Sequence, residues 1–393
     1  MRLSKRPESH GSTRRRGDPL AVVGWVALAV GIPALAVAAA LAPRRLGAAV
    51  SVDWPPFVLV TGLLLIGLVA RDDGLFDAAG AAMARLARGG RSLFLGAAVL
   101  VAGVTAVLNL DTAVVFLTPV VVLAARKRGT GEAPFLYLAV FLANGASLLL
   151  PGSNLTNLIV LGSMHGSGSD FAAAMVLPWL AAVAGVGLVV AAVWHRSLRR
   201  CDARADDRPT FRVGSGLVGV LVVIVAVLLL TPAGEAVAAI VAAAAAVAWS
   251  LRQQRMGLPE LRRTLNVPVL AGLFVVAVDF GTLGRVWAGP AQLLQHASTV
   301  VTAIVAAAAS VVINNLPAAS LLAARPPSTA HALLVGLDLG PNLAVSGALS
   351  AVLWLQVARA VDARPSAMRY SLVGLAVVPV SMAAALGALG VVH

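Results

Sequence analysis

The sequence predicts an all-α, polytopic membrane protein of about ten spans, and three observations predict it. Of 393 residues, 59% are hydrophobic and 12% are charged, where a soluble domain carries about a quarter charged residues. The mean hydropathy is +0.91, and the apolar residues fall in repeated runs near the span length of about 20 residues. The cations sit in short polar gaps between those runs. One membrane domain uses up the length and leaves no room for a sizeable soluble domain.

The formal net charge of +13 would point to nucleic acid in a soluble chain. Here its distribution is the positive-inside pattern, so the partner is the lipid bilayer, with anionic headgroups against the basic gaps, and not nucleic acid. Cys201 is the one cysteine. No disulfide forms within the chain, and no thiol cluster is available for a metal or a thiophilic ion.

Residues 1–18 hold Arg2, Lys5, Arg6, Arg14, Arg15 and Arg16 and read as a cytoplasmic tail. No small-residue cleavage site closes the apolar run after it, as a signal peptide would require. The N-terminal membrane half is 19–195. It opens with a span at 20–42, kinked by Pro33, and a run at 55–70 opened by Pro55 and Pro56. In 71–91, Leu75, Phe76, Ala79, Met83 and Leu86 recur at helical spacing beside Arg85 and Arg88, which predicts an amphipathic helix at the cytoplasmic interface. Residues 92–108 read as a span, and a second apolar run follows to Arg126, Lys127 and Arg128. Spans at 133–150 and 172–195 complete this half. The basic segment 196–212 is a cytoplasmic linker to the C-terminal membrane half, 213–393. Spans there are 213–231, 233–251, 267–284, 298–324, 329–358 and 367–390, with a basic gap at 252–266. The side on which 359–366 lies is left open, although Arg359 and Arg364 fit the cytoplasm.

Function is written in the interruptions. The stretch ANGASLLLPGSNLTNLIV (143–160) is apolar at both ends and broken by Pro151 and Gly152, with Ser153, Asn154, Thr156 and Asn157 following. In hydrocarbon, broken backbone survives only inside protein or along a cavity. A tight turn between spans is the plainer reading of this stretch alone. A second break at Gly340–Pro341, with Asn342, Ser346 and Ser350 after it, repeats the pattern. Polar helix starts precede both: Asn109–Asp111, then Asn314–Asn315. Matched interruptions in two halves point to an inverted-repeat transporter with its site at the repeat interface. The candidate substrate ligands are Ser153, Asn154, Thr156, Asn157, Asn314, Asn315, Asn342 and Ser346.

Asp111 and Asp338 are the costly residues. A carboxylate at membrane depth is unfavourable by about 3 kcal/mol on insertion scales, and such a group is suited to take up and release a proton. Asp is also a good helix cap near an interface. Asp279 is a third candidate, which Arg285, six residues on, would instead pair. Gly214, Gly216 and Gly219 spell GxGxxG without a βαβ unit around them, and read as helix packing. No GxxxxGK[ST], HExxH or GxSxG occurs, so the sequence offers no P-loop, zincin or serine-hydrolase chemistry. The six histidines are scattered. No catalytic residue, metal site or cofactor is expected.

Four segments carry a family resemblance: DTAVVFLTPVVV (111–122), ASLLLPGSNLTNLIV (146–160), SVVINNLPAASLL (310–322) and GLDLGPNLAVSGALSAVLWL (336–355). Their order and spacing resemble the arsenite–antimonite efflux permeases, the arsenical pump membrane proteins of the ion transporter superfamily, over most of the chain from about residue 50. The resemblance implies export of arsenite and antimonite across the cell membrane, driven by inward proton movement. It implies two inverted repeats with re-entrant hairpins meeting at the midplane. It also admits a separate ATPase subunit and a homodimer, which the residues neither support nor exclude. The chain departs from the family at three places: Leu110 separates Asn109 from Asp111, Asn144 stands where an acid commonly precedes the ASL segment, and Asn342 stands where a lysine often follows DLGP. Arsenite near neutral pH is an uncharged trihydroxide, which Asn, Ser and Thr can hold as donors and acceptors. An oxyanion would call for Arg or Lys, and neither break has one. The competing reading is a sodium/proton antiporter of the same superfamily, with Na⁺ held by the two aspartates and exposed carbonyls.

Overall fold

The computed structural model describes residues 19–162, 167–199, 215–229, 232–325 and 327–392. The tail 1–18, positions 200–212 of the expected linker, and Cys201 lie outside these. Every regular element among the described residues is helical.

Helices α1 (Pro19–Leu41) and α2 (Pro43–Asp72) are separated by Ala42 alone. Pro55 and Pro56 lie inside α2 instead of opening it. The start is set by Pro43, whose missing N–H costs nothing in a first helical turn. On α1, Val22, Val23, Trp25 and Val26 are exposed, as a lipid-facing surface requires.

Helix α3 (Leu75–Leu86) is the expected amphipathic helix. Its Phe76 stacks on Phe116 at 5.4 Å between ring centroids, and Met83 is buried, but Leu86 is 82% exposed. Ten residues beyond Phe76, at about 100° per residue, Leu86 falls roughly 80° off the buried stripe.

Helices α4 (Gly90–Leu108) and α5 (Leu110–Lys127) meet at Asn109. They are not a span followed by another run. They fold back as a re-entrant pair, because the Arg128 guanidinium beyond α5 donates to the Ala87 carbonyl before α4 at 2.9 Å. Both ends lie on the basic, cytoplasmic side. Helix α6 (Ala133–Ala146), a 3₁₀ turn at Pro151–Ser153 and α7 (Leu155–Gly162) form one interrupted crossing, and α8 (Gly168–Val193) returns. Helix α8 starts on a reciprocal cap: Ser167 Oγ accepts from the Asp170 N–H and Asp170 Oδ2 from the Ser167 N–H.

The second half continues with α9 (Ser215–Leu229), α10 (Pro232–Arg252), the short α11 (Leu258–Leu265), α12 (Val267–Val286) and α13 (Gly289–Gln295). Helices α14 (Thr299–Ile313) and α15 (Asn315–Leu322) meet at Asn314. Helix α16 (Ala330–Leu339), 3₁₀ turns at Gly340–Leu343 and Val345–Gly347, and α17 (Leu349–Ala360) form the second interrupted crossing, followed by α18 (Ala367–Val392).

The two halves are inverted copies. The α14–α15 pair opens at the other face: the Thr302 and Thr329 hydroxyls meet at 2.8 Å, and Arg325 donates to the carbonyl of Arg285 near the end of α12 at 3.0 Å. Helix α1 packs on α12 as α10 packs on α2, while α8 and α18 pair with each other. Seven helical stretches among the described residues are long and apolar enough to cross a membrane alone, and the two interrupted crossings are assembled from shorter pieces.

The structure also puts 359–366 on the same face as the basic end of α5. Arg126, in the last turn of α5, donates to the Val361 carbonyl at 2.6 Å, and the Tyr137 hydroxyl accepts from the Ser366 N–H at 3.0 Å. By the positive-inside rule that face is expected to be the cytoplasmic one. In a Cys201→Ser background, Arg364→Cys should react with an impermeant thiol reagent in everted vesicles and not in intact cells. Labelling of intact cells would invert the orientation.

Candidate functional site

The site grows from four interruptions. At each hairpin tip a single asparagine joins two helices with φ in the left-handed half of the map: 134° at Asn109 and 75° at Asn314. Asparagine tolerates this better than most residues. Its side chain also caps the outgoing helix. Asn109 Oδ1 accepts from the N–H groups of Asp111 and Thr112 at 2.8 and 3.0 Å, and Asn314 Oδ1 from Leu316 at 3.3 Å. The caps aim Asp111 and Asn315 at the molecule's centre.

There the tips meet the starts of α7 and α17. Leu110, Asp111, Asn154, Thr156, Asn314, Asn315 and Ser350 line a cavity of about 30 Å³, with Leu155, Leu273, Leu316 and Leu349 as its apolar wall. Asp111, Leu155, Leu273 and Leu349 also line a wider vestibule of about 250 Å³. That vestibule reaches Arg71 at the end of α2, Thr264–Asn266 between α11 and α12, and Gln356 near the end of α17. These positions lie on the basic face, so the cavity opens toward that face. At the mouth, the Arg71 guanidinium bonds to Asp72 at 2.7 Å and to Glu260, and lies over the Phe116 ring. Its charge is thus already paired.

The two central carboxylates differ in their surroundings. Asp111 is half-buried, and no protein donor reaches its carboxylate among the described residues. Nearby, Asn109 Nδ2, Thr105 Oγ1 and Thr112 Oγ1 are buried without partners. Asp338, 1% exposed, is encircled: Thr156 Oγ1 lies 2.6 Å and Asn154 Nδ2 2.9 Å from its Oδ1, and Ser147 Oγ lies 3.0 Å from its Oδ2.

The other expected ligands do structural work. Ser153 donates to the Ala106 carbonyl at 2.7 Å, tying the first break to α4. Asn157 donates to the carbonyls of Ser147 and Leu150 at 2.7 and 3.2 Å, the second of which also accepts from the Ser153 N–H of the 3₁₀ turn at 3.1 Å. Asn342 donates to Phe141 and accepts from Asn144 at 2.7 Å. Ser346 is exposed, and its carbonyl accepts from Asn314. Of the named candidates, Asn154, Thr156, Asn314, Asn315 and Asp111 reach the cavity. Ser350 reaches it too and donates to Asn144 at 3.2 Å. Sequence reasoning had not assigned roles to Asn144, Ser147 and Ser350. An equal offset pointed to two of them: Thr156 lies twelve residues after Asn144, and Ser350 twelve after Asp338. Asp279 and Arg285 do not pair. Six residues on a helix set them about 120° apart, and Arg285 instead donates to the Gly281 carbonyl at 2.9 Å near Asp53.

Two re-entrant tips and two interrupted crossings, closing on one central cavity, define a membrane transporter. The comparisons place it more narrowly. A family model described as citrate transporter matches residues 20–355, and the chain belongs to that family. It is similar to the arsenical pump membrane protein of Yersinia enterocolitica, 26% identical over 78% of this chain and 79% of that one. It is also similar to the protein of the same name from Escherichia coli K12, 27% identical over 85% of each. Its fold resembles the crystal structure of the Alcanivorax borkumensis YdaH transporter, with a TM-score of 0.58, 16% identity, and coverage of 95% of this chain and 98% of that one.

Asn342→Ala should lower the thermal midpoint of the purified protein, because it leaves the buried Asn144 amide without its 2.7 Å partner, at about 1–3 kcal/mol per buried group. Asn314→Ala, at a half-exposed position, should lower it less. Equal midpoints in scanning fluorimetry would remove the Asn144–Asn342 contact from the forces that hold the breaks.

Proposed function

We propose that the protein exports arsenite, and antimonite with it, from the cytoplasm in exchange for protons. The observation that carries this is the composition of the inward-open cavity. Asn154, Thr156, Asn314, Asn315 and Ser350 line it with neutral amides and hydroxyls, of which Asn315 has its side chain uncommitted among the described residues, and Asp111 supplies one carboxylate without a protein donor. A small uncharged triol is matched by such groups. A tricarboxylate such as citrate would need cations, and the cavity wall has none; Arg71, at the vestibule mouth, is neutralised by Asp72 and Glu260. The names of the relatives agree with this substrate.

Outward transport against a gradient requires an energy source, and the chain has no nucleotide-binding motif. Asp111 is the group we assign to the coupled proton, since it faces the cavity and has no competing partner. Neutral arsenite carries no charge, so each inward proton makes the cycle electrogenic, worth about 2.3 kcal/mol per 100 mV. Everted vesicles should therefore accumulate arsenite when a proton gradient is imposed without ATP, and a protonophore should abolish it. Asp111→Asn should cut accumulation at least tenfold while sparing arsenite exchange, which moves no net proton. Accumulation that persists with the protonophore, or in Asp111→Asn at the wild-type level, would sink the assignment.

Asn154→Ala, which removes a cavity-facing amide, should reduce both accumulation and exchange. A full rate in both assays would take Asn154 out of the binding set. The unpartnered oxygens of Asp111 and Thr112 favour one rival, a sodium/proton antiporter. Growth on arsenite against growth at high sodium and alkaline pH separates the two.

A further inference from the structure

The hydrogens around Ser147 do not add up if Asp338 is an anion. A serine hydroxyl has one hydrogen to donate. Ser147 Oγ lies 2.8 Å from the Asn144 carbonyl oxygen and 3.0 Å from Asp338 Oδ2. With Asp338 ionised, both neighbours are acceptors competing for that hydrogen. The third neighbour, Asn154 Nδ2 at 3.4 Å, is a donor and supplies neither. The Asn144 carbonyl has no backbone alternative: α6 ends at Ala146, and the Ser147 N–H goes to Ala143 at 3.1 Å. One buried acceptor is therefore left bare, which costs about 1–3 kcal/mol.

A hydrogen on Asp338 Oδ2 completes the set. Oδ2–H donates to Ser147 Oγ, and Ser147 donates to the Asn144 carbonyl. Oδ1 still accepts from Thr156 and Asn154 at 2.6 and 2.9 Å. The inverted repeat points the same way from independent contacts. Asn144 holds the equivalent place in the first repeat, and it both donates, to Asn342 at 2.7 Å, and accepts, from Ser350 at 3.2 Å. An anion only accepts, whereas a neutral acid has the donor and acceptor that an asparagine has. Among the described residues, Asp338 forms no ion pair that would hold the charge. Of the titratable groups on adjoining elements, Tyr370 donates to the Pro341 carbonyl and Asp111 faces the cavity beyond α7.

We propose that Asp338 is a neutral carboxylic acid in the inward-open state, a positioning residue that clasps the first break through a donated hydrogen bond to Ser147. Asp338→Asn then replaces the acid by its near-isostere, with the amide N–H₂ in the place of Oδ2–H. The test uses the full-length purified protein and no substrate, so it stands or falls separately from the arsenite reading. The infrared difference spectrum at pH 7 between wild type and Asp338→Asn should contain a protonated-carboxyl C=O stretch. Ser147→Ala should move that band to higher frequency, because the acceptor is gone. Asp338→Asn should melt with the wild type, and Asp338→Ala well below it. A difference spectrum showing only a lost carboxylate stretch overturns the proposal. So does an Asp338→Asn protein that melts as low as Asp338→Ala.

Discussion

Backbone interrupted at membrane depth has no water to bond with, so the other half of the protein must satisfy it. Here each repeat does this for its twin. Asp338, at the end of α16, gathers Ser147, Asn154 and Thr156 from the first break. Asn144, at the end of α6, gathers Asn342 and Ser350 from the second. Neither break closes on its own side chains alone. The backbone is brought close enough by small residues as well: Gly374 of α18 sits against the Asn342 carbonyl, where a Cβ would overlap it. The two interrupted crossings therefore hold together as one polar unit, and the hairpin tips are set against that unit by Ser153 and Asn314.

From this reciprocity follows a division of labour among chemically similar residues. Asparagines and hydroxyls occur throughout the breaks, but a side chain whose hydrogen bonds are spent on backbone has none left for a solute. Asn157, Ser153 and Asn342 are spent in this way. Asn315 and Asp111 are not, because the hairpin tips carry them past the breaks into the cavity. The two aspartates follow the same rule. One is enclosed by donors from the opposite repeat, and the other has only cavity before it.

The architecture was legible because hydropathy, Arg placement and the paired Gly/Pro interruptions are each local signals. Hairpin reversal was not. The run from Gly90 to Leu108 is as apolar and as long as a span, and the packing of α4 on α5 with the contact between Ala87 and Arg128 reveals the fold-back. Pro55 and Pro56 misled for a related reason: a proline pair reads as a start, yet α2 was already under way from Pro43. Within the site, residue types predicted a polar centre. They could not separate cavity-facing amides from backbone-bound ones, since that depends on which carbonyls the fold brings near, from 7 to 201 residues away. Asn144 and Ser147 were assigned no role because neither Asn nor Ser is costly enough in a span to stand out as Asp does.

The wall opposite the polar unit explains how such a site can change access without breaking its clasp. Val60 and Leu64 of α2, with Val269, Leu270 and Leu273 of α12, face Asp111 and the start of α7 across the vestibule. Among the described residues, no side-chain hydrogen bond joins these helices to either break. Apolar surfaces in contact have no directional bonds to lose on sliding, whereas parting Asp338 from Thr156, or Asn144 from Asn342, would strand buried polar atoms. The least costly relative motion is that of the whole polar unit with its hairpins against α2 and α12, which gives up the exposed Arg325 bond to the Arg285 carbonyl but no buried polar pair. It carries Asp111 and the neutral ligands together, and it leaves the reciprocal hydrogen bonds intact on both sides of the cycle.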